Sequence, residues 1–447
     1  MNRALRMTRR PTADHGARRA ARAAAAAVLL CGLPVRAQTA TTPPSVSAPA
    51  SADSPPGPVA APAAGGEPSA HPDPSSKGQP SGGFVLSSPR ASVILGGYAE
   101  LFYQWNFNQP ANAVTNFRGF DTRHNSVTIS NVVLDTAGSV GPVSVRIALQ
   151  YGHTPETYYL SEPASPATAG AGATGTQVWK FLQQALIGYR APLGRGLLFE
   201  GGIYLSPIGI EGMAIKDQWN FSRSNLFFGL PFYHTGFRIS YPLTGRLTAT
   251  LHAVNGWNSV VDNNTPWSLA GELAYVVPER LTLHFVYFTG IERSTFAPEG
   301  QPWRHLFDAY ATFQPRSWIA LSLHGDAGFE PNAFGTSYWA AGAAYLCFMP
   351  HRVLHFGVRA DAFHEHVAES AGGRAAPIFW PADLVASQTL TADVRPHGNL
   401  SLRLEYRHDY ATAPMYFSSD PPRDLDGKYL PDATTQDTLT LGVVAWF

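Results

Sequence analysis

From Ala91 onward apolar and polar residues alternate with period two. The run Leu400-Ser401-Leu402-Arg403-Leu404-Glu405-Tyr406-Arg407-His408-Asp409 places apolar groups on one face through its first seven residues and keeps charge on the other face throughout. One face of such a strand meets an apolar medium and the other meets water. Similar alternation runs through Val143-Ser144-Val145-Arg146-Ile147-Ala148-Leu149-Gln150-Tyr151, Leu281-Thr282-Leu283-His284-Phe285-Val286-Tyr287 and Leu354-His355-Phe356-Gly357-Val358-Arg359-Ala360-Asp361. The pattern predicts sixteen strands, over 92–107, 124–138, 142–155, 177–191, 196–206, 232–242, 245–257, 266–278, 280–292, 303–315, 317–330, 336–349, 351–365, 384–396, 398–410 and 434–447. Alternation is blurred in 124–138, 177–191 and 384–396, which leaves the count open by about two.

A soluble sandwich also alternates, so the links between strands decide. Every even-to-odd link is a tight turn rich in Pro or Gly: Gly141-Pro142, Pro192-Leu193-Gly194-Arg195, Pro242-Leu243-Thr244-Gly245, Pro278-Glu279-Arg280, Pro315-Arg316, Pro350-His351-Arg352 and Pro396-His397-Gly398. Most odd-to-even links are longer and more polar, as at 156–176, 207–231, 364–383 and 411–433. Short turns at one end, long loops at the other and an even strand number describe a transmembrane antiparallel β-barrel of about 16 strands, all-β, in a bacterial outer membrane. Strand length agrees, since a tilted strand crosses a bilayer in about 9 to 11 residues. Tyr103, Trp105, Trp257, Trp267, Trp303 and Trp318, near strand ends, suit the two aromatic girdles.

Composition narrows the class further. Charged residues are 14% of the 447 and aromatic ones 12%, against about 25% charged in ordinary soluble domains. No stretch after residue 40 approaches the roughly 18 to 20 apolar residues of a spanning helix, which excludes a helical membrane protein. Basic and acidic residues balance at 32 each, which argues against a nucleic-acid binder. That balance belongs to a precursor. Residues 1–37 carry a basic start, an apolar stretch from Ala23 to Val35 and the small-residue spacing Val35-Arg36-Ala37, the layout of a cleaved signal peptide. A twin-arginine signal at Arg9-Arg10 is opposed by Pro11, and lipidation of Cys31 by the large Leu30 before it. Without the leader the chain has 24 basic and 31 acidic residues, a net of −7, and only Cys347, so no intrachain disulfide. Residues 38–91, dominated by Pro, Ala and Ser, are expected to form a disordered periplasmic linker. The barrel would span 92–447, with 22 basic and 28 acidic residues, a net of −6.

The final strand, Thr438-Leu439-Thr440-Leu441-Gly442-Val443-Val444-Ala445-Trp446-Phe447, resembles the C-terminal strand by which the barrel-assembly machinery recognises outer-membrane proteins. In the middle of the chain Phe221-Ser222-Arg223-Ser224-Asn225-Leu226 leads through Pro231 to His234-Thr235-Gly236, and the next hairpin ends in Asn255-Gly256-Trp257-Asn258. Together with Gly96-Gly97-Tyr98-Ala99-Glu100, these motifs resemble the beta-barrel porin-2 family of outer-membrane porins over residues 92–447. The resemblance implies passive diffusion of small hydrophilic solutes and no defined substrate. It also implies that the third long link, 207–231, folds inward as the third loop of general porins often does, with Glu211, Lys216, Asp217 and Arg223 at a constriction and a transverse field between opposed charges. A loop lying over the mouth is the alternative.

Sixteen strands enclose more space than side chains fill, leaving a wet lumen. By alternation the lumen receives Glu100, Arg146, Lys180, Glu200, Arg238, Glu272, Asp308, Asp326, Arg359, Asp361, Asp393, Arg403, Glu405, Arg407 and Asp409. Nine acids against six bases point to a mild cation preference. No cofactor is expected. His364-Glu365-His366 lacks a third metal ligand at telling spacing, and His408 and Asp409, being adjacent, point to opposite faces and cannot act as a catalytic pair. The expected partners are outer-membrane lipid and lipopolysaccharide, the assembly machinery and small solutes, with no nucleic acid and homo-oligomerisation left open. The rival readings are an outer-membrane barrel enzyme of hydrolase type and a structural or adhesive barrel with a plugged lumen.

Overall fold

The computed structural model describes residues 83–158, 179–262 and 264–447. The leader, most of the Pro-rich linker and much of the 156–176 link lie outside the described residues. Sixteen antiparallel strands follow one another around a closed barrel: β1 Ala91–Asn106, β2 Val127–Val140, β3 Val143–Tyr151, β4 Leu182–Ala191, β5 Leu197–Leu205, β6 Tyr233–Pro242, β7 Leu247–Val254, β8 Ser268–Val277, β9 Leu281–Ile291, β10 Trp303–Arg316, β11 Ile319–Asn332, β12 Gly335–His351, β13 Leu354–His366, β14 Leu384–His397, β15 Leu400–Ala411 and β16 Thr435–Trp446. Each strand pairs with its sequence neighbours. The seam joins β16 to β1, in register from Thr438↔Asn106 to Trp446↔Tyr98. Closure leaves no open edge, the condition for strands in hydrocarbon.

The blurred segments are strands whose ladders carry extra residues. Between β1 and β2 the register shifts at Glu100/Leu101, and between β3 and β4 at Ala148/Leu149, so that both Gln183 and Gln184 are buried on the inner side. At the short-turn end Pro315, Pro350 and Pro396 each fall inside a register shift, between Phe313/Arg316, Phe348/His351 and Val394/His397. Proline has no N–H to give the ladder, and a bulge is where its absence is tolerated.

All seven turns at this end are short, as expected, and seven of the eight links at the other end exceed ten residues, the exception being the two residues between β11 and β12. One element falls inside the expected linker: Phe84–Ser88 forms a strand along β1, from Phe84↔Leu95 to Ser88↔Ala91. The cause is geometric, because β1 runs past the end of β16 and its residues there need backbone partners.

Side chains sort by face. On β15 Ser401, Arg403, Glu405, Arg407 and Asp409 are buried inside, while Leu402, Leu404, Tyr406 and Tyr410 are exposed outside. Trp267, Trp303 and Trp318 are exposed, but Trp257 is buried among residues of the lumen and belongs to no girdle.

Candidate functional site

The inside of the barrel is occupied by the link between β5 and β6, residues 206–232. It contains a three-residue 3-10 turn, Ile215–Asp217, and a one-turn helix, α1, Asn225–Phe228, started by Ser224, whose Oγ accepts from the Phe227 N–H at 3.3 Å. Strand residues near mid-barrel hold this loop through its backbone. Glu405 accepts from the N–H groups of Phe221 and Ser222 (2.5 and 2.9 Å), Asp361 from Asn225 (2.9 Å), Glu100 from Ile215 (2.6 Å) and Asp308 from Gly209 (2.9 Å). Arginines take the carbonyls. Arg359 donates to the oxygens of Ser222 (2.6 Å) and Arg223 (3.1 Å), Arg403 to that of Asn220 (2.9 Å), and Arg407 to that of Arg223. Apolar side chains add to the anchorage: Ile215 and Phe221 pack with Phe102 and Val444, and Leu226 with Ala343 and Tyr345. Each fully buried side chain of this kind is worth about 1.5 to 3 kcal/mol.

Glycines make the close approach possible. A Cβ on Gly442 would stand 2.2 Å from the Phe221 ring, and one on Gly357 2.6 Å from the Trp219 carbonyl oxygen. Replacing Gly442 by Leu is therefore expected to push Phe221 off the wall and destabilise the docked loop by about 1 to 3 kcal/mol, the usual effect of overpacking. Limited proteolysis of the detergent-purified protein would show it as new cleavage within 206–232 with the barrel intact; an unchanged digest would count against this contact.

The four constriction candidates separate into two pairs. Glu211 accepts from the Ser224 N–H and hydroxyl and from Arg359 Nη1 at 2.9 Å. Arg223 donates to the carbonyls of Gly212, Phe221 and Met213, with its guanidinium over the rings of Phe120 and Phe227. Both stiffen the loop itself. Lys216 and Asp217 border a cavity, the Lys216 side chain nearly buried and that of Asp217 exposed, and Lys216 Nζ lies 2.9 Å from both Asp217 oxygens. Opposed charges are thus in contact rather than set across a gap, and the expected transverse field shrinks to that of two adjacent groups.

Of the fifteen expected lumen residues, fourteen lie on strands with side chains turned in. Lys180 is the exception. It precedes β4 and binds Glu156 at 2.6 Å, because β4 starts at Leu182 rather than 177. The other charges are consumed locally: Arg146 by Asp135, Arg238 by Glu200, Glu272 by His252 and His284, Asp308 by His324, Asp326 by Trp339 Nε1, Asp393 by Arg395 and Ser401, and Arg407 by Asp409. These groups face partners rather than open lumen, so a count of nine acids and six bases does not measure the field that a passing ion meets.

Sequence reasoning missed Arg118 and Asp121, on the link after β1. Arg118 binds Asp121 and reaches Asp409 on β15 at 3.0 Å, fixing this first link to the barrel wall, and Phe120 between them packs on Phe227 and Phe228 of the third link. Burial raises the Asp121 pKa, but the Arg118 charge and hydrogen bond outweigh it and hold the carboxyl below its ordinary range. The neutral inner residues Gln104, Gln183 and Gln184 were also missed, because only charges were counted. Their signal was present as polar residues interrupting apolar alternation.

Two further motifs resolve simply. Glu365 points inward and accepts from the N–H groups of Ile378, Phe379 and Trp380, while His364 and His366 point outward, and the described residues contain no cluster of three metal-ligating side chains. His408 faces out to Asp437 at 2.9 Å and Asp409 faces in, on opposite faces as adjacency requires.

Between the loop and the β1–β4 wall lies a cavity of about 200 Å³. Tyr98, Asp135, Gln183 and Gln184 line it from the wall, Lys216, Asp217 and Gln218 from the loop, with Tyr310 and Phe447 at its margins. Toward the long-link end the lumen holds an apolar cluster that includes Trp257, Phe288, Trp339, Phe363 and Trp380, with Phe379 packed on it.

Comparison with known proteins agrees with this architecture. A family model described as beta-barrel porin-2, OmpL-like, matches residues 92–447. Among solved structures the chain is similar to the outer-membrane channel DcaP of Acinetobacter baumannii (13% identity, 82% of this chain and 99% of that one, TM-score 0.50). It is also similar to an anion-selective porin from Comamonas acidovorans (12%, 80% and 100%, TM-score 0.50) and to OmpT, an outer membrane protein of Vibrio cholerae (8%, 81% and 99%, TM-score 0.50). At such identities the likeness is one of fold. No curated protein matches the chain.

Proposed function

We propose that this chain, which belongs to the beta-barrel porin-2 family, lets small hydrophilic solutes cross the bacterial outer membrane by passive diffusion through its lumen. The observation that carries this reading is the loop 206–232, clamped across mid-barrel with a cavity of mixed polar and apolar lining beside it. A loop held by more than half a dozen hydrogen bonds sets a fixed aperture, and a fixed aperture sorts solutes by size. In this reading the short turns, the N-terminal segment and the C-terminus are periplasmic and the long links face outward. The apolar outer face meets lipid, the outer rim meets lipopolysaccharide, and the strand ending in Phe447 is what the barrel-assembly machinery recognises.

The aromatic cluster around Trp257, Trp339 and Phe363 favours one second reading, a lumen plugged at its long-link end. Purified full-length protein in a planar bilayer separates the two. Stable ohmic conductance steps are expected of the pore; a bilayer that stays sealed while folded protein is demonstrably inserted would sink it and leave the plugged barrel.

A further inference from the structure

We propose that the solutes this pore favours are neutral polyhydroxylated compounds, small sugars in chemical class, rather than ions; the proposal rests on the porin reading above. Every charged side chain that lines the cavity beside the loop has an opposite partner. Asp135 is gripped by two nitrogens of Arg146, at 3.1 and 2.5 Å, and Lys216 and Asp217 neutralise each other. An ion entering this space sheds part of its hydration shell and meets no opposite charge to replace it. For a neutral solute the desolvation cost is far smaller, and hydrogen bonds to the lining offset it.

The rest of the cavity lining offers a different chemistry. The Gln184 side chain on β4, whose backbone pairs with Ala148, lines the cavity and is held by no side-chain hydrogen bond among the described residues, and Gln218 lines it from across, its Nε2 held by the Gly212 carbonyl. A carboxamide presents a donor and an acceptor side by side, which matches two neighbouring hydroxyl groups of a polyol. Tyr98 and Tyr310 add aromatic faces and a phenol oxygen. An aromatic plane suits the C–H face of a sugar ring, and an amphipathic aromatic binds one face while leaving a polar tip for hydroxyls. Few polar groups set among apolar ones is the usual make-up of a small-molecule site. The bulge at Gln183 is what brings two consecutive glutamines to this wall, so the feature is built into the ladder.

The test uses full-length protein reconstituted in liposomes and in planar bilayers. In swelling assays glucose is expected to enter several-fold faster than gluconate and glucosamine, which match it in size and carry opposite charges. In bilayers a KCl gradient is expected to give a reversal potential near zero, and added maltose to reduce the current saturably. Gln184→Leu is expected to weaken that maltose effect about tenfold, the loss of one to two hydrogen bonds, and Gln184→Glu to shift the reversal potential toward cations, with heat-modifiable migration confirming the barrel in both. Faster entry of either charged sugar, a strongly ion-selective reversal potential, or indifference to maltose would overturn the proposal while leaving the porin reading standing. A sealed bilayer would overturn the porin reading itself.

Discussion

Replacing Arg359 by Ala is expected to release the inner loop and raise single-channel conductance severalfold. Arg359 is fully buried, and its guanidinium reaches Glu211 (2.9 Å), the Ser222 carbonyl (2.6 Å) and hydroxyl (3.1 Å), the Arg223 carbonyl (3.1 Å) and Thr389 (3.0 Å). Its Nε also stands 3.4 Å from Asp361. Truncation strands two carboxylates and two carbonyls inside the protein, and breaking a buried ion pair from one side costs about 3 to 5 kcal/mol. The barrel's own ladder gains nothing from Arg359, so the strain falls on the loop. Arg359→Lys keeps the charge without the planar fork that serves several acceptors at once, and should lie between. Bilayer recordings of both variants, with heat-modifiable migration as the check on folding, decide the matter. Unchanged conductance in the alanine variant would mean that another element limits flow.

The second large effect is at the seam. Gly97→Leu is expected to abolish the folded barrel. Gly97 exchanges both backbone hydrogen bonds with Phe447, at 3.2 and 3.0 Å, and a Cβ there would sit 2.5 Å from the Val133 carbonyl oxygen and 2.9 Å from the Phe447 ring. The neighbour on one side is backbone and cannot turn away. Opening even two or three pairs of the seam exposes N–H and C=O groups to hydrocarbon at several kcal/mol each. Refolding into detergent micelles, followed by unheated gel electrophoresis, should show only the unfolded band. Phe447→Ala serves as the contrast: it keeps the backbone pair, so it is expected to refold in micelles yet accumulate poorly in outer membranes, where recognition of the last strand matters. Normal folded yield of Gly97→Leu would show that the seam tolerates a side chain at this point.

The strands were legible because lipid on one side and protein interior on the other force period two, and the turns because Pro and Gly mark them. Sixteen strands emerged in the right order, even where bulges at Glu100/Leu101 and Ala148/Leu149 broke the alternation. The inner face was legible as well, since Arg403, Glu405, Arg407 and Asp409 are turned in. What those charges do was not. Arg403, Glu405 and Arg407 bind backbone groups of residues 220–223, while Asp409 binds Arg118 and Arg407, and a backbone N–H or carbonyl leaves no trace in the identity of the residue that carries it. Lys180 was misplaced for a related reason, because apolar residues ahead of Leu182 extend the pattern past the point where pairing begins. Phe84–Ser88 was missed because its need arises from the unequal ends of β1 and β16, a property of the assembled sheet.

The loop's anchors have a consequence for the order of events in folding. Successive strands pair as neighbours, so most of the barrel can accrete hairpin by hairpin with little entropy lost to long chain closures. Only the pairing of β16 with β1 joins distant ends. The loop binds Glu100 on one side of that joint and Glu405 on the strand beyond its other side, while Phe221 lies over both Phe102 and Gly442. It can take up this position only once the two ends have met, so the docked loop and the closed circle mature together, and an unfinished barrel has no seat for it.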